Sequence, residues 1–192
     1  HWVQGTMEKP GPHGRRGPLP PFMKAISIEE NKSGKGLSQR LYDGEIDATL
    51  GFALPKEIGR NPNIERLFPN YREVEKDYYR RTGIFPIMHT LVIRRALYEQ
   101  HPFVAQSLYD AFRKAKEIAL RRMMSPAAAG VLPYMQPWLM ADAEEIDEVF
   151  GGDPWPYGIE PNRRTLEALV RYLVDQSLIS APVKIEELFL LP

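Results

Sequence analysis

The sequence contains no cysteine. That absence excludes disulfides, thiolate metal sites and cysteine nucleophiles, and it is compatible with either an oxidising or a reducing compartment. Net charge is missing as well, since 25 Lys and Arg balance 25 Asp and Glu. Without a positive field or a long basic run, no nucleic-acid partner is expected. No apolar stretch approaches the roughly 20 residues that a membrane-crossing helix needs, so no membrane span is expected. The opening His1-Trp2-Val3-Gln4-Gly5 lacks the charged-then-apolar layout of an export signal. Position 1 is not Met, and an upstream segment, with any targeting signal it carries, is expected to precede it; the compartment stays open. Histidine is scarce: His1, His13, His89 and His101 fall in separate segments, without His-x-His or His-x-x-x-His spacing, so no metal site is expected. A phosphate loop is absent too, because Gly34-Lys35-Gly36 is too short and too polar in context to cradle a nucleotide. No cofactor is expected.

What is present is an ordinary globular composition, 43% hydrophobic and 26% charged over 192 residues, enough for one sizeable domain or two small ones. Proline and glycine crowd residues 10–21 and predict a loop. Phe22 to Ile28 and Ile46 to Gly51 read as short strands. Ser38 is positioned as the N-cap of a helix that stops at Gly44. Tyr71, Val74 and Tyr78 recur at helical spacing among charges and predict a helix over 71–81, stopped by Gly83 and Pro86. The β-branched run Thr90-Leu91-Val92-Ile93-Arg94 predicts a strand in a sheet core. After His101-Pro102, the series Val104, Leu108, Ala111, Phe112, Ala115 and Ile118 predicts a helix running to about Met124. Further helices are expected from Pro137 to Phe150 and from Pro161 to Gln176, with a turn from Gly151 to Gly158 between them, and a short final element is expected at Glu186-Glu187-Leu188-Phe189.

Several phrases carry a resemblance. Asp77-Tyr78-Tyr79-Arg80-Arg81-Thr82-Gly83-Ile84-Phe85-Pro86-Ile87-Met88-His89, followed by His101-Pro102-Phe103-Val104-Ala105, is similar to the 4,5-dihydroxyphthalate decarboxylase family. So are His1-Trp2-Val3-Gln4-Gly5 at the start, Trp155-Pro156-Tyr157-Gly158-Ile159-Glu160-Pro161-Asn162-Arg163, and Glu186-Glu187-Leu188-Phe189 at the end, all in family order. One departure is Thr6, where members carry a second glycine. The resemblance implies an α/β, two-lobed fold like that of type 2 periplasmic binding proteins, related to transporter substrate-binding and thiamine-pyrimidine-synthase-like proteins. It implies that the N-terminal part of the first lobe is missing, with residues 1–85 completing the second lobe and 86–192 returning to the first. Surfaces uncovered by that truncation would favour self-association.

Two functions follow from the resemblance. One is a carboxy-lyase that releases carbon dioxide from a hydroxylated aromatic dicarboxylate such as 4,5-dihydroxyphthalate by protonating the ring carbon; a cytoplasmic home would suit it. The other is the solute-binding component of an ABC-type importer for a small anionic or aromatic compound, without catalysis, in the periplasm. Decarboxylation needs a proton donor, and His89, beside the expected lobe crossing, is the catalytic candidate; the alternative is a packed histidine before a buried strand. Arg81 and Thr82 are candidates for holding the substrate carboxylates and hydroxyls, or else lie on a solvated helix. Tyr157, Asn162 and Arg163 form a second substrate-binding group, and the alternative is a turn that staples two helices together.

Overall fold

In the computed structural model, which describes residues 1–10, 27–124 and 135–190, the elements run β1 (Trp2–Gln4), β2 (Ile28–Glu30), α1 (Leu37–Tyr42), α2 (Tyr71–Thr82), α3 (Arg95–Gln100), α4 (Phe103–Met124), α5 (Leu139–Phe150), a 3-10 turn (Glu160–Asn162), α6 (Arg163–Asp175) and α7 (Ile185–Leu188). They fall into two units, His1–Val74 with Leu173–Ala181, and Glu75–Tyr172 with Pro182–Pro192.

In the first unit, β1 and β2 pair in parallel, with Trp2 opposite Ile28 and Gln4 opposite Glu30. Backbone bonding continues past the strands: Asn31 N–H donates to Gln4 O at 2.8 Å, and Leu37 and Ser38 donate to Thr6 O and Met7 O at 3.0 and 2.8 Å. The start of α1 is thereby tied to the exit of β1. Gly36 makes this approach possible, because a Cβ there would lie 2.6 Å from both Met7 O and the carbonyl carbon of Glu8. Buried Asn31 organises the intervening loop. Its Oδ1 accepts from Ser33 Oγ at 2.7 Å and Arg40 Nη1 at 3.2 Å, while Nδ2 donates to Lys35 O at 2.6 Å.

The second unit is built on helix faces. Leu139 and Ala143 on α5, and Leu166 and Val170 on α6, are buried at i, i+4 spacing, together with Ala168 and with Ile185 on α7. The face of α2 meets α5 through a Lys76–Glu145 ion pair, an Arg80 Nη2–Glu148 Oε1 pair at 3.1 Å, and the rings of Tyr79 and Phe150 at 4.6 Å. Gly83, at φ +65°, ends α2 as expected and donates its N–H to Tyr79 O at 2.7 Å. The expected helices over 71–81, to Met124, to Phe150 and after Pro161 are all present, within a few residues of their predicted limits. The apolar face of α4 is only partly covered, since no α4 residue is buried and Phe112 and Ile118 are exposed.

The structure corrects several expectations. Among the described residues the sheet consists of one parallel pair of three-residue strands. A two-lobed α/β fold of the periplasmic-binding-protein type requires substantial sheet cores, so that fold, and the recognition of the chain as a C-terminal portion of such a protein, is overturned. Thr90 to Arg94 forms no strand, and Val92 is 85% exposed. Ile46 to Gly51 is bends and irregular chain. The physical reason is shared: β-branched residues favour extended backbone only where a neighbouring strand supplies hydrogen bonds and cross-strand packing, and neither run has one among the described residues. The expected loop at 10–21 and strand at 22–28 lie mostly outside the described residues, although Ile28 opens β2. Ser38 is not the N-cap of α1 either. Gly36 caps without a side chain, and buried Ser38 sits in the first turn, donating to Glu57 Oε2 at 2.6 Å and accepting from Lys56 N–H at 3.1 Å.

These placements separate two substitutions. Leu166→Ala should lower the free energy of unfolding by about 2–4 kcal/mol, the usual cost of emptying a buried leucine site. Val92→Ala should change it by less than about 0.5 kcal/mol, as at other exposed positions. Urea unfolding of both variants checks this, and a loss near 1 kcal/mol at Val92 would mean that its side chain is packed rather than exposed.

Candidate functional site

Aromatic and polar side chains converge in the second unit on the turn between α5 and α6. Pro154 and Pro156 fix two of its backbone φ angles. Asp153 Oδ1 accepts the Trp155 N–H at 3.1 Å, a local closure typical of Asp in turns. From the far side, Asn162 Nδ2 donates to Pro156 O at 2.6 Å and Gly158 O at 2.9 Å. One carboxamide thus closes the loop onto the 3-10 turn that starts α6.

Rings line the same region. Tyr79 and Phe150 lie 4.6 Å apart, Phe85 and Phe150 4.8 Å, and Phe85 and Trp155 5.9 Å, all tilted or edge-on as aromatic pairs prefer. Phe85 is fixed by Thr165, whose Oγ1 donates to Phe85 O at 3.3 Å and accepts from Phe85 N–H at 3.4 Å. Lys116, on α4, reaches the turn with an ammonium 2.6 Å from Asp153 Oδ2, 3.0 Å from Trp155 O and 4.1 Å from the centre of the Tyr157 ring. Its side chain is 17% exposed, whereas Trp155 and Tyr157 remain 53% and 39% exposed. The arrangement presents two wet aromatic rings on a backbone held from both sides, which suits stacking against a flat ring.

The residues singled out from sequence occupy three places. Tyr157, Asn162 and Arg163 come together in the turn and the helix start after it. Arg81 and Thr82 lie at the end of α2: Arg81 Nε bonds Asp77 Oδ2 at 2.8 Å, and Thr82 Oγ1 donates to Tyr78 O at 2.7 Å while accepting from Ile84 N–H at 3.1 Å. The Gly83-to-Phe85 segment leads from there to Trp155. His89 stands farther along, exposed, outside any helix or strand, and without a hydrogen bond or ion pair among the described residues.

Arg163 is engaged by carboxylates. Its Nη2 lies 2.6 Å from Glu160 Oε1 and 2.8 Å from Glu186 Oε1, tying the start of α6 to α7. Hydrogen bonds to Glu160 first and Glu186 second raise the pKa of the guanidinium, and the same contacts hold both carboxyls below their usual range.

Lys116 and Asp153 escaped sequence reasoning. Nothing local marks Lys116 among the charges of α4, because its partners lie in a different segment of the chain. An open depression of about 320 Å³ beside β2 is lined by Ile28, Glu29, Glu30 and Lys32. It holds no converging set of rings and donors, and the turn is the better candidate. No group of His, Asp and Glu suited to a metal occurs among the described residues, and no helix among them is long and apolar enough to cross a membrane.

The chain is 31% identical over 190 residues to a 4,5-dihydroxyphthalate decarboxylase of Comamonas testosteroni, an alignment that takes in 98% of this chain and 56% of that protein. The chain therefore spans little more than half the length of this relative. No protein-family model matches it.

The carboxylate pair on Arg163 predicts a pH effect. Both carboxyls have depressed folded-state pKa values, so their stabilisation is fully present above the usual value of 4.5 and is lost as pH falls through the depressed values. Arg163→Met should lower the melting midpoint at pH 7, and the gap from the parent should close progressively as pH falls below 4.5 through the depressed values. A gap that holds constant across that range would place the effect in the aliphatic stem of Arg163.

Proposed function

We propose that the protein containing this chain is a carboxy-lyase acting on a hydroxylated aromatic dicarboxylate such as 4,5-dihydroxyphthalate. The observation that carries the reading is the similarity to the Comamonas enzyme, which runs along nearly the whole chain. The exposed rings of Trp155 and Tyr157 support it, since they suit a planar substrate. In the proposed reaction a proton is added to the ring carbon that bears a carboxylate. The bond from that carbon to the carboxylate then breaks, carbon dioxide leaves, and the electron pair of the broken bond restores aromaticity. A hydroxyl para to that carbon stabilises the protonated ring, so no organic electron sink is needed.

His89 is proposed as the proton donor. An imidazole gives and takes protons near neutral pH, and its exposed ring has no competing partner among the described residues. Tyr157 is proposed as a wall for the substrate ring, and Arg81, Thr82, Asn162 and Arg163 as its polar neighbours. All four engage protein groups in this structure, so each would meet the substrate by sharing or exchanging a partner. The solute-binder reading drew its support from the two-lobed fold, and no observation favours it now.

The complete protein should release carbon dioxide from 4,5-dihydroxyphthalate and far more slowly from phthalate, which lacks the hydroxyls. His89→Ala should slow turnover by about 10²–10⁴-fold, the range for a lost general acid, with an unchanged melting midpoint. Absence of release from the complete protein would reject the lyase, and full activity in the variant would reject His89.

A further inference from the structure

Lys116 belongs to no motif and was reached only through the fold. Its ammonium nevertheless has three separate contacts on one turn: the Asp153 carboxylate, the Trp155 carbonyl and the face of Tyr157. Each bears on the aromatic pair that faces water. Asp153 is the residue whose other oxygen accepts the Trp155 N–H, so Lys116 and the turn backbone share one carboxylate. The Trp155 carbonyl fixes the peptide plane that follows the indole. The cation above Tyr157 restrains the tilt of that ring, an attraction that strengthens when the cation is shielded from water. Tyr109, also on α4, adds a ring 6.4 Å from Tyr157. The opposite flank of the turn is held by Asn162, whose bonds go to the Pro156 and Gly158 carbonyls and touch neither ring; the Trp155 indole rests against Phe85 at 5.9 Å, and the Tyr157 ring takes its cation from Lys116.

We propose that Lys116 is a positioning residue: through Asp153, the Trp155 carbonyl and the Tyr157 ring it sets the spacing and tilt of an aromatic platform that receives the flat ring of the substrate. The proposal rests on the carboxy-lyase reading and deepens it, because it assigns ring recognition to the 153–158 turn and gives the cation a supporting part. The ammonium has its contacts within the protein, so it orders the platform without taking part in proton transfer.

The test uses the complete protein with Lys116→Met, which keeps an unbranched stem without the charge, and Lys116→Arg, which keeps a cation. With 4,5-dihydroxyphthalate, Lys116→Met should raise KM by about tenfold and leave kcat within about twofold, the size expected for losing one shielded cation–ring contact and a charged hydrogen bond. Amide exchange over 153–158 should quicken, and Lys116→Arg should recover most of the affinity. An unchanged KM, or a fall in kcat with KM preserved, would overturn the positioning role. If the parent releases no carbon dioxide the lyase reading fails, and equilibrium dialysis of 4,5-dihydroxyphthalate then decides the proposal. Binding weakened about tenfold in Lys116→Met supports it, and binding that is unchanged, or absent in the parent, overturns it.

Discussion

The clasp of Lys116 on Asp153, Trp155 and Tyr157, with the Tyr109–Tyr157 ring pair beside it, fixes α4 against the turn, and the arrangement of the second unit around that turn depends on it. None of the 22 residues of α4 is buried, and among the described residues no large side chain is fully buried. A helix that covers its apolar face incompletely gains less from burial and leaves its position to directional contacts. An ammonium shielded by neighbouring rings is well suited to that task, because its attraction to a carboxylate is screened less than that of an exposed pair such as Arg81–Asp77.

The same economy runs through both units. Asn31 ties a loop to α1, Ser38 bridges to Glu57 and Lys56, and Asn162 closes the turn onto α6. No buried side-chain nitrogen or oxygen among the described residues lacks a partner. Small polar side chains work here because a satisfied hydrogen bond in a shielded place contributes about 1 kcal/mol while fixing an angle as well as a distance.

Helices were legible in the sequence because their signals are local. The spacing of Tyr71, Val74 and Tyr78, the glycine at 83, the proline at 102 and the glycine at 151 all act within a few residues of the helix they start or stop. Strands were not legible, since Val92 and Ile93 carry the right side chains but extended backbone becomes a strand only beside a partner that a local pattern does not reveal. Ser38 illustrates the same limit, because its type suits an N-cap while its true partners, Lys56 and Glu57, lie beyond a long stretch of chain. The turn that holds the candidates Tyr157 and Asn162 was legible because its prolines and glycines act locally. Lys116 was not, because what distinguishes it from the other cations of α4 is a contact made across the fold.

Correcting the fold leaves the chemistry to be judged from the site, since scaffold and reaction are separable. Within the proposed reaction, the existing partners of the two candidate arginines matter. Arg81 pairs with one carboxylate, Asp77, and both side chains are largely exposed. Such a pair is worth roughly 0–1 kcal/mol, so exchanging it for a substrate carboxylate costs little. Arg163 holds Glu160 and Glu186 together and is less exposed, so a substrate would have to displace a contact that also ties α7 to α6. On that physical ground Arg81 would be the more readily recruited cation of the two, while the Arg163 pairs with Glu160 and Glu186 tie the start of α6 to α7.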